Sequence, residues 1–372
     1  MKYFATCARG LEKVLAEELR ELRAEAVEPG RGGVGFNGDL ALLYRANLWL
    51  RTAVRVLMPI LEVPVQSTDD LYAAVQSLDW SRYMTTEHTL AVDCNVRDSA
   101  ITHSKYAALR VKDAICDQFV AKRGKRPSVD VETPMVGLNL HIYQDHAVLS
   151  LESSGESLHK RGYREVLTKA PINEALAAGL IQLTGWRGEV PLVDPMCGGG
   201  TFCIEGAWIA LRRPPGLTRR RFGFMGWMNY DVGLWTTVRD EARRQVAKVL
   251  PVPILGYDVR GDAMHFSDAN AKAAGIGHLL QFQRRDVADF QPPPGPPGIL
   301  ICNPPYGERI GEEKDLVGLY RTLGKAFRER CGGWKLFLFT GNAFLARQTG
   351  LKPMHVFDLF NGKIPCRLLC YQ

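Results

Sequence analysis

The residues best suited to chemistry follow a short apolar run, Ile299 to Cys302, which ends in Asn303, Pro304, Pro305 and Tyr306. Such a run, bounded by proline and glycine, reads as a buried parallel strand, and ligands of open α/β sheets collect beyond the carboxyl ends of such strands. An exocyclic amino group on a nucleobase is a poor nucleophile, because its lone pair is delocalised into the ring. Two acceptors aimed at its N–H bonds, the Asn303 side-chain oxygen and the Pro304 carbonyl, would hold that nitrogen and favour the tetrahedral character that attack requires. The prolines stiffen the backbone that aims them, and Tyr306 offers a ring on which a flipped base can stack.

A second stretch, "VDPMCGGGTF", carries a strand ending at Asp194 through Gly198, Gly199 and Gly200 into a helix that starts near Thr201. Missing side chains in such a turn let a ligand approach the backbone. The glycines are contiguous rather than spaced G-x-G-x-x-G, and the next acid at a strand end, Asp258, lies much further on than the roughly 20 residues of a dinucleotide fingerprint. Thr201 and Phe202 follow the glycines where a phosphate loop would need lysine. NAD and ATP are disfavoured. Acids at three successive strand ends, Asp194, Asp258 and Asp286, with Asn303 on the fourth, can accept hydrogen bonds from a cationic amino-acid end, a ribose diol and an adenine amino group. That is a layout for S-adenosylmethionine.

The elements that must position these residues alternate. From Ile172 onward, "VPLVD", a helix from Thr201 to Ala210, "PILGYD", a helix from Asp262 to Ala274, "LLQFQRRD", "GILICN", a helix around Leu316 to Phe327 and "WKLFLFTG" follow one another. This predicts an α/β fold with a parallel sheet covered by helices on both faces. The first half reads as a small α+β assembly. Leu11, Val14, Leu15, Leu19 and Leu22 mark an amphipathic helix that "EPGRGGVGFNGD" breaks. A strand over about Ala53 to Pro64, a helix through Val75 capped by Asp69 or Asp70, and the strand-like "TLAVDCNV" come next. Ser104 to Lys122 reads as a helix with Ala107, Leu109, Val111, Ala114, Ile115 and Phe119 inward, followed by a hairpin turning at Gln144 and Asp145. The boundary between the halves falls near residues 155–165.

Composition sets the class. The 372 residues are 46% hydrophobic and 23% charged, and the nine cysteines are scattered with neither a CxxC pair nor zinc-ligand spacing, which predicts a reduced, cytoplasmic, metal-free protein. No apolar run approaches the roughly 20 residues of a membrane helix. The net charge of +7 is modest, but it gathers at Lys122, Arg123, Lys125 and Arg126, and again at Arg212, Arg213, Arg219, Arg220 and Arg221 beside Phe222, Phe224 and Trp227. Such clusters suit loops that meet phosphates and stack bases, making nucleic acid the expected partner. For the second cluster two readings stand side by side: direct RNA contact, or a satellite core of aromatics with merely solvated arginines. His103, His141 and His159 lack partners at metal-ligand spacing and read as structural.

Taken in order, "HSKYAALRVKDAICDQF", "RPSVD", "SGESLHKRGYR", "DPMCGGGTF", "PPGLTRRRFGFMGW", "NPPYGER" and "NGKIPCRLLCY" resemble the THUMP-domain RNA guanine-N2 methyltransferases, in particular the bacterial branch acting on 23S ribosomal RNA. NPPY alone is shared with amino-directed DNA methylases and protein-glutamine methyltransferases. The resemblance implies a ferredoxin-like segment over 1–60, a THUMP RNA-binding domain over 61–160, and a Rossmann-like class I methyltransferase domain over 161–372 with an antiparallel final strand. It implies that Asp194, Met196, Cys197, Gly198, Gly200 and Thr201 surround the methionine end of S-adenosylmethionine, Asp258 the ribose and Asp286 the adenine amino group, with Asn303, Pro304, Pro305 and Tyr306 at the target guanine. Gly199 stands where the family usually has serine. Ribosomal RNA is the expected substrate, with a tRNA guanine-N2 methyltransferase and, more remotely, an amino-directed DNA methylase as alternatives; a monomer carrying one activity is expected.

Overall fold

The computed structural model describes residues 1–164, 172–307 and 313–372, and the side chains of residues 313–315 are not described. Two sheets organise the chain. The first half contributes β1 (Lys2–Cys7), α1 (Glu12–Glu21), β2 (Glu25–Gly30), β3 (Gly33–Asn37), α2 (Leu40–Trp49), β4 (Ala53–Pro64), α3 (Thr68–Ser77), β5 (Thr89–Arg97), α4 (Ser104–Arg123), β6 (Ser128–Val129), β7 (Val136–Tyr143) and β8 (His146–Glu152). Its strands form a single eight-stranded sheet in the order β2-β3-β1-β4-β8-β7-β5-β6. The ferredoxin-like and THUMP-like parts are thus one continuous sheet, joined where β4 pairs antiparallel with β8.

Several local expectations change. "EPGRGGVGFNGD" does more than end a helix, because it forms the hairpin β2–β3, with β2 as an exposed edge strand whose polar residues hid it. The cap of α3 is Ser67, whose hydroxyl accepts from the Asp70 backbone N–H at 3.1 Å while Asp70 reaches back, a capping box with Asp70 as its third residue. Leu109 points outward, 51% exposed, because the buried face of α4 runs through Ala107, Val111, Ala114, Ile115 and Phe119 and leaves it on the opposite side. The turn at Gln144 and Asp145 is as expected, both residues lying at positive φ, 49° and 59°.

The second half supplies α5 (Glu174–Leu183), β9 (Leu192–Asp194), α6 (Thr201–Ala210), α7 (Val232–Arg244), β10 (Ile254–Asp258), α8 (Gly261–Ala273), β11 (Gln281–Arg284), β12 (Ile299–Cys302), α9 (Glu313–Arg330), β13 (Lys335–Thr340), α10 (Ala343–Gln348), β14 (His355–Asn361) and β15 (Ile364–Tyr371). The strands order as β11-β10-β9-β12-β13-β15-β14. Strands β9 to β13 run parallel, and β15 inserts antiparallel between β13 and β14. Every residue of β9, β10 and β12 is buried, so their apolar side chains are covered on both faces.

The arginine- and aromatic-rich insertion after α6 belongs to the core of the first half. Phe222 and Phe224 stack 5.2 Å apart at 10°, and Phe224 lies 4.4 Å from the ring of Tyr44 on α2. Trp227 and, from α7, Trp235 join the same core. Two glycines make this docking possible by backbone approach: a Cβ on Gly223 would lie 2.5 Å from the Glu152 carbonyl oxygen, and one on Gly226 would lie 2.0 Å from that of Met135. Arg219 is half-buried beside this core. Its guanidinium donates to the carbonyls of Ser154, Glu156, Ser157 and Lys160, pinning the segment that links the two halves. Arg220 and Arg221 are exposed, Arg221 also donating to the Pro134 carbonyl at 3.1 Å.

A buried polar network completes the junction. Glu18 of α1 accepts from the Arg51 and Thr52 backbone N–H groups and from the Gln182 side chain of α5. Arg51 donates to the Trp208 and Arg213 carbonyls, and the fully buried Arg161 pairs with Glu205 of α6 at 3.4 Å. In the linker, His159 bonds Ser157 Oγ at 2.7 Å, and burial beside Arg161 and Lys160 pulls its pKa down to about 4. An unfolded histidine titrates near 6.5, so the unfolded chain gains this proton first and stability falls as pH drops from about 6.5 toward 4. His159→Gln is expected to flatten the pH dependence of the thermal midpoint in that window and leave it unchanged above pH 7.

Candidate active site

The carboxyl edge of the second sheet gathers the expected residues. Register places Val193 beside both Leu255 and Leu300, so Asp194, Asp258 and Asn303 emerge from neighbouring strands on one edge. Asp194 is 3% exposed and its Oδ1 accepts from the Met196 backbone N–H at 3.0 Å. Burial pushes its carboxyl well above the usual range; the Met196 N–H opposes this, and the nearby Asp258 adds to it. A carboxylate held so far from water with little local compensation is suited to a cationic partner.

The glycine turn is fixed from three sides. The Cys197 N–H donates to the Tyr257 carbonyl at 2.7 Å, the Gly198 N–H to Asp258 Oδ2 at 3.0 Å, and Asn270 of α8 donates to the Gly199 carbonyl at 3.0 Å. Gly198 and Gly200 adopt φ of 52° and 78°. The two differ in what surrounds them: a Cβ at Gly200 would lie 3.0 Å from the Phe282 ring and 3.1 Å from Ser267 Cβ, whereas one at Gly198 would meet nothing within 4 Å. Gly200 is required by packing, and Gly198 faces open space. Cys197 is buried and its thiol is raised by burial, making it a wall rather than a nucleophile.

Asp258 Oδ1 accepts from the Arg260 backbone N–H at 3.0 Å, an arrangement that fixes the carboxylate at the strand end. Asp286 is exposed beyond β11, its Oδ1 capping the Ala288 N–H at 2.8 Å. Thr201 is buried, and its hydroxyl accepts from Arg164 at 3.2 Å. Arg164 also donates to the Ile172 carbonyl at 2.8 Å and lies 3.7 Å from Glu174. Sequence reasoning missed Arg164 and Glu174 as supports of the site, although Arg164 ends the quoted "SGESLHKRGYR"; nothing local marks an arginine as reaching a helix start 37 residues away.

Asn303 directly follows β12. Among the described residues its buried Oδ1 has no hydrogen-bond partner, an acceptor left for a ligand's N–H. Pro304 is buried, Pro305 exposed and Tyr306 half-buried. Glu308 and Arg309 of "NPPYGER" lie outside the described residues. The basic cluster at the end of α4 is exposed, with Lys122 paired to Asp79 at 3.1 Å and Lys125 to Glu87 at 2.7 Å. Among the described residues no group of three or more His, Cys, Asp or Glu could hold a metal, and no helix is long and apolar enough to cross a membrane.

Parallel strands with an inserted antiparallel one, a glycine turn braced by the next strand's aspartate, and Asn-Pro-Pro-Tyr after the fourth strand define a Rossmann-like class I methyltransferase. The chain belongs to the RMKL-like methyltransferase family: residues 161–369 match its methyltransferase domain, residues 2–57 the RlmL ferredoxin-like domain and residues 65–152 the THUMP domain. It is 42% identical over 370 residues to slr0064 of Synechocystis sp., provisionally named an RNA methyltransferase, covering 100% of this chain and 96% of that protein. It is 46% identical over 382 residues to the ribosomal RNA large subunit methyltransferase K/L of Syntrophotalea carbinolica, covering 100% of this chain and 53% of that protein. The chain thus spans about half the length of that relative. The crystal structure of SMU.472, provisionally described as a methyltransferase and complexed with SAH, superposes with a TM-score of 0.91 at 31% identity, covering 100% of this chain and 97% of that one.

Proposed function

We propose that this protein is an S-adenosylmethionine-dependent RNA methyltransferase that methylates the exocyclic N2 of a guanosine in large-subunit ribosomal RNA, acting as a metal-free monomer in the cytoplasm. The observation that carries the reading is the buried Oδ1 of Asn303, with no hydrogen-bond partner among the described residues, on the same sheet edge as Asp194 and the open face of Gly198. Bound S-adenosylmethionine supplies an electrophilic methyl group. Asp194, Met196, Cys197, Gly198, Gly200 and Thr201 would hold its amino-acid end, the Asp194 carboxylate facing the cationic ammonium. Asp258 would take the ribose and Asp286 the adenine amino group. Asn303 Oδ1 and the Pro304 carbonyl accept the two N–H bonds of the guanine amino group, orienting its nitrogen lone pair. That nitrogen becomes cationic on methylation and loses its proton readily, so no strong base is needed.

In this reading the THUMP domain over residues 61–160, behind the ferredoxin-like segment over 1–60, holds RNA and residues 161–372 carry out transfer. The names of the K/L relatives and the THUMP match support an RNA substrate. Incubation of labelled S-adenosylmethionine with deproteinised total RNA, and in parallel with genomic DNA, is expected to place label in N2-methylguanosine of large-subunit RNA; label confined to tRNA would move the assignment, and label in DNA alone would overturn it. Replacing Lys122, Arg123, Lys125 and Arg126 by alanine is expected to raise the KM for RNA and flatten its salt dependence, with kcat little changed. Each lost phosphate contact removes about 0.7–0.9 from the log–log salt slope. The Asp79 and Glu87 pairs do not prevent such contacts, since exposed pairs of this kind are screened by solvent and exchange readily for a phosphate.

A further inference from the structure

The terminal "NGKIPC" segment has no part in the chemistry described so far, yet it reaches the active site. It forms the tip of the β14–β15 hairpin, where Asn361 pairs with Ile364 and Gly362 turns the chain at φ 62°. Asn361 Nδ2 donates to the hydroxyl of Tyr306 at 3.1 Å. The Tyr306 hydroxyl in turn donates to the sulfur of Cys366, on the partner strand of the same hairpin, which opposes the rise that burial gives its thiol pKa. At the end of β13, Gly341 lies against the ring: a Cβ there would approach Tyr306 Cε2 to 3.1 Å and Cδ2 to 3.3 Å. The hairpin is in turn seated on the first half, where the Arg9 guanidinium lies 4.3 Å over the ring of Phe360, the residue before Asn361. Gly10 packs so closely on this strand that a Cβ would lie 2.6 Å from the Asp358 carbonyl oxygen.

We propose that Asn361, with Cys366 and Gly341, is a positioning cradle that fixes the orientation of the Tyr306 ring, so that an incoming base meets a preset stacking surface. The inference rests on the proposed function, which assigns Tyr306 to the target base. A hydroxyl held at its far end keeps the side chain from swinging about the Cα–Cβ bond, and the close approach of Gly341 to the ring edge restricts rotation about Cβ–Cγ. Without the bond from Asn361 the ring samples orientations in which the base is misplaced relative to Asn303, and misplacement costs turnover more than binding.

The test is a double-mutant cycle on the full chain with labelled S-adenosylmethionine and deproteinised large-subunit ribosomal RNA. Asn361→Ala and Tyr306→Phe each remove one end of the same bond. Each is expected to lower kcat about tenfold, the scale of one neutral hydrogen bond, with KM for RNA changed less than twofold. The double variant should be no slower than Tyr306→Phe alone, because that variant already removes the bond Asn361 makes. Independent, multiplying losses, or wild-type kcat in Asn361→Ala, would overturn the proposal. Deuterium uptake over residues 299–307 supplies an activity-independent readout: both variants are expected to speed exchange there, and unchanged uptake would likewise overturn the cradle. If the wild-type protein transferred no methyl group to RNA, the proposed function would fail, while the uptake comparison would still decide whether Asn361 holds Tyr306.

Discussion

Asn303→Ala is expected to lower methyl transfer to RNA by about 10²–10³-fold while leaving S-adenosylmethionine affinity within a few-fold, since a preorganised acceptor acts on developing charge rather than on the resting ligand. The structure sharpens this expectation. The wild-type protein already bears the cost of burying Oδ1 with no partner among the described residues, so removing it sacrifices no hydrogen bond to any of them. The variant should therefore be as stable as the wild type, or slightly more so, in a urea titration. Asn303→Asp keeps the acceptor and adds a buried negative charge close to Asp194, which should cost both activity and stability. Equilibrium dialysis with labelled S-adenosylmethionine beside single-turnover transfer separates the outcomes: full turnover in Asn303→Ala would refute the role given to Oδ1.

Glu205→Ala is expected to destabilise the fold by about 3–5 kcal/mol, because it strands the Arg161 guanidinium inside the protein. Arg161 is 1% exposed and Glu205 0%, so neither charge can recover water. The Tyr163 hydroxyl, which donates to Glu205 Oε1 at 3.2 Å, loses its acceptor as well. Arg161 also donates to the Leu158 and Arg51 carbonyls, so the damage spreads into the linker and the end of α2. Glu205→Gln, which keeps an acceptor for both partners, should cost clearly less. Denaturant titration followed by tryptophan fluorescence gives the comparison, Trp208 lying on the same helix as Glu205. If Glu205→Ala were as stable as the wild type, the junction between the halves would not depend on this pair.

Much of the catalytic edge was legible in the sequence, since its signals are local. A run of four apolar residues before Asn303 is a buried strand by composition, and three contiguous glycines after Asp194 are a turn by backbone freedom alone. The helix over Thr201–Ala210 and the strand over Ala53–Pro64 follow from residue periodicity and their punctuating neighbours. The antiparallel last strand, in contrast, came from family resemblance and from no property of its residues.

What only the tertiary structure decided are relations between distant residues. "RRPPGLTRRRFGFMGW" carries the same arginines and aromatics whether or not its rings fill a core; the fold buries Phe222, Phe224 and Trp227 in the core of the first half, and Arg219 donates to carbonyls of the linker beside them. The hairpin β2–β3 escaped notice because an exposed edge strand need not alternate in polarity. Arg164 reaching Thr201, Asn361 reaching Tyr306, and Glu18 joining α1 to α5 are single side chains spanning long sequence gaps. Periodicity and spacing report which face of an element is apolar, whereas which other element covers that face is settled only when the whole chain closes on itself.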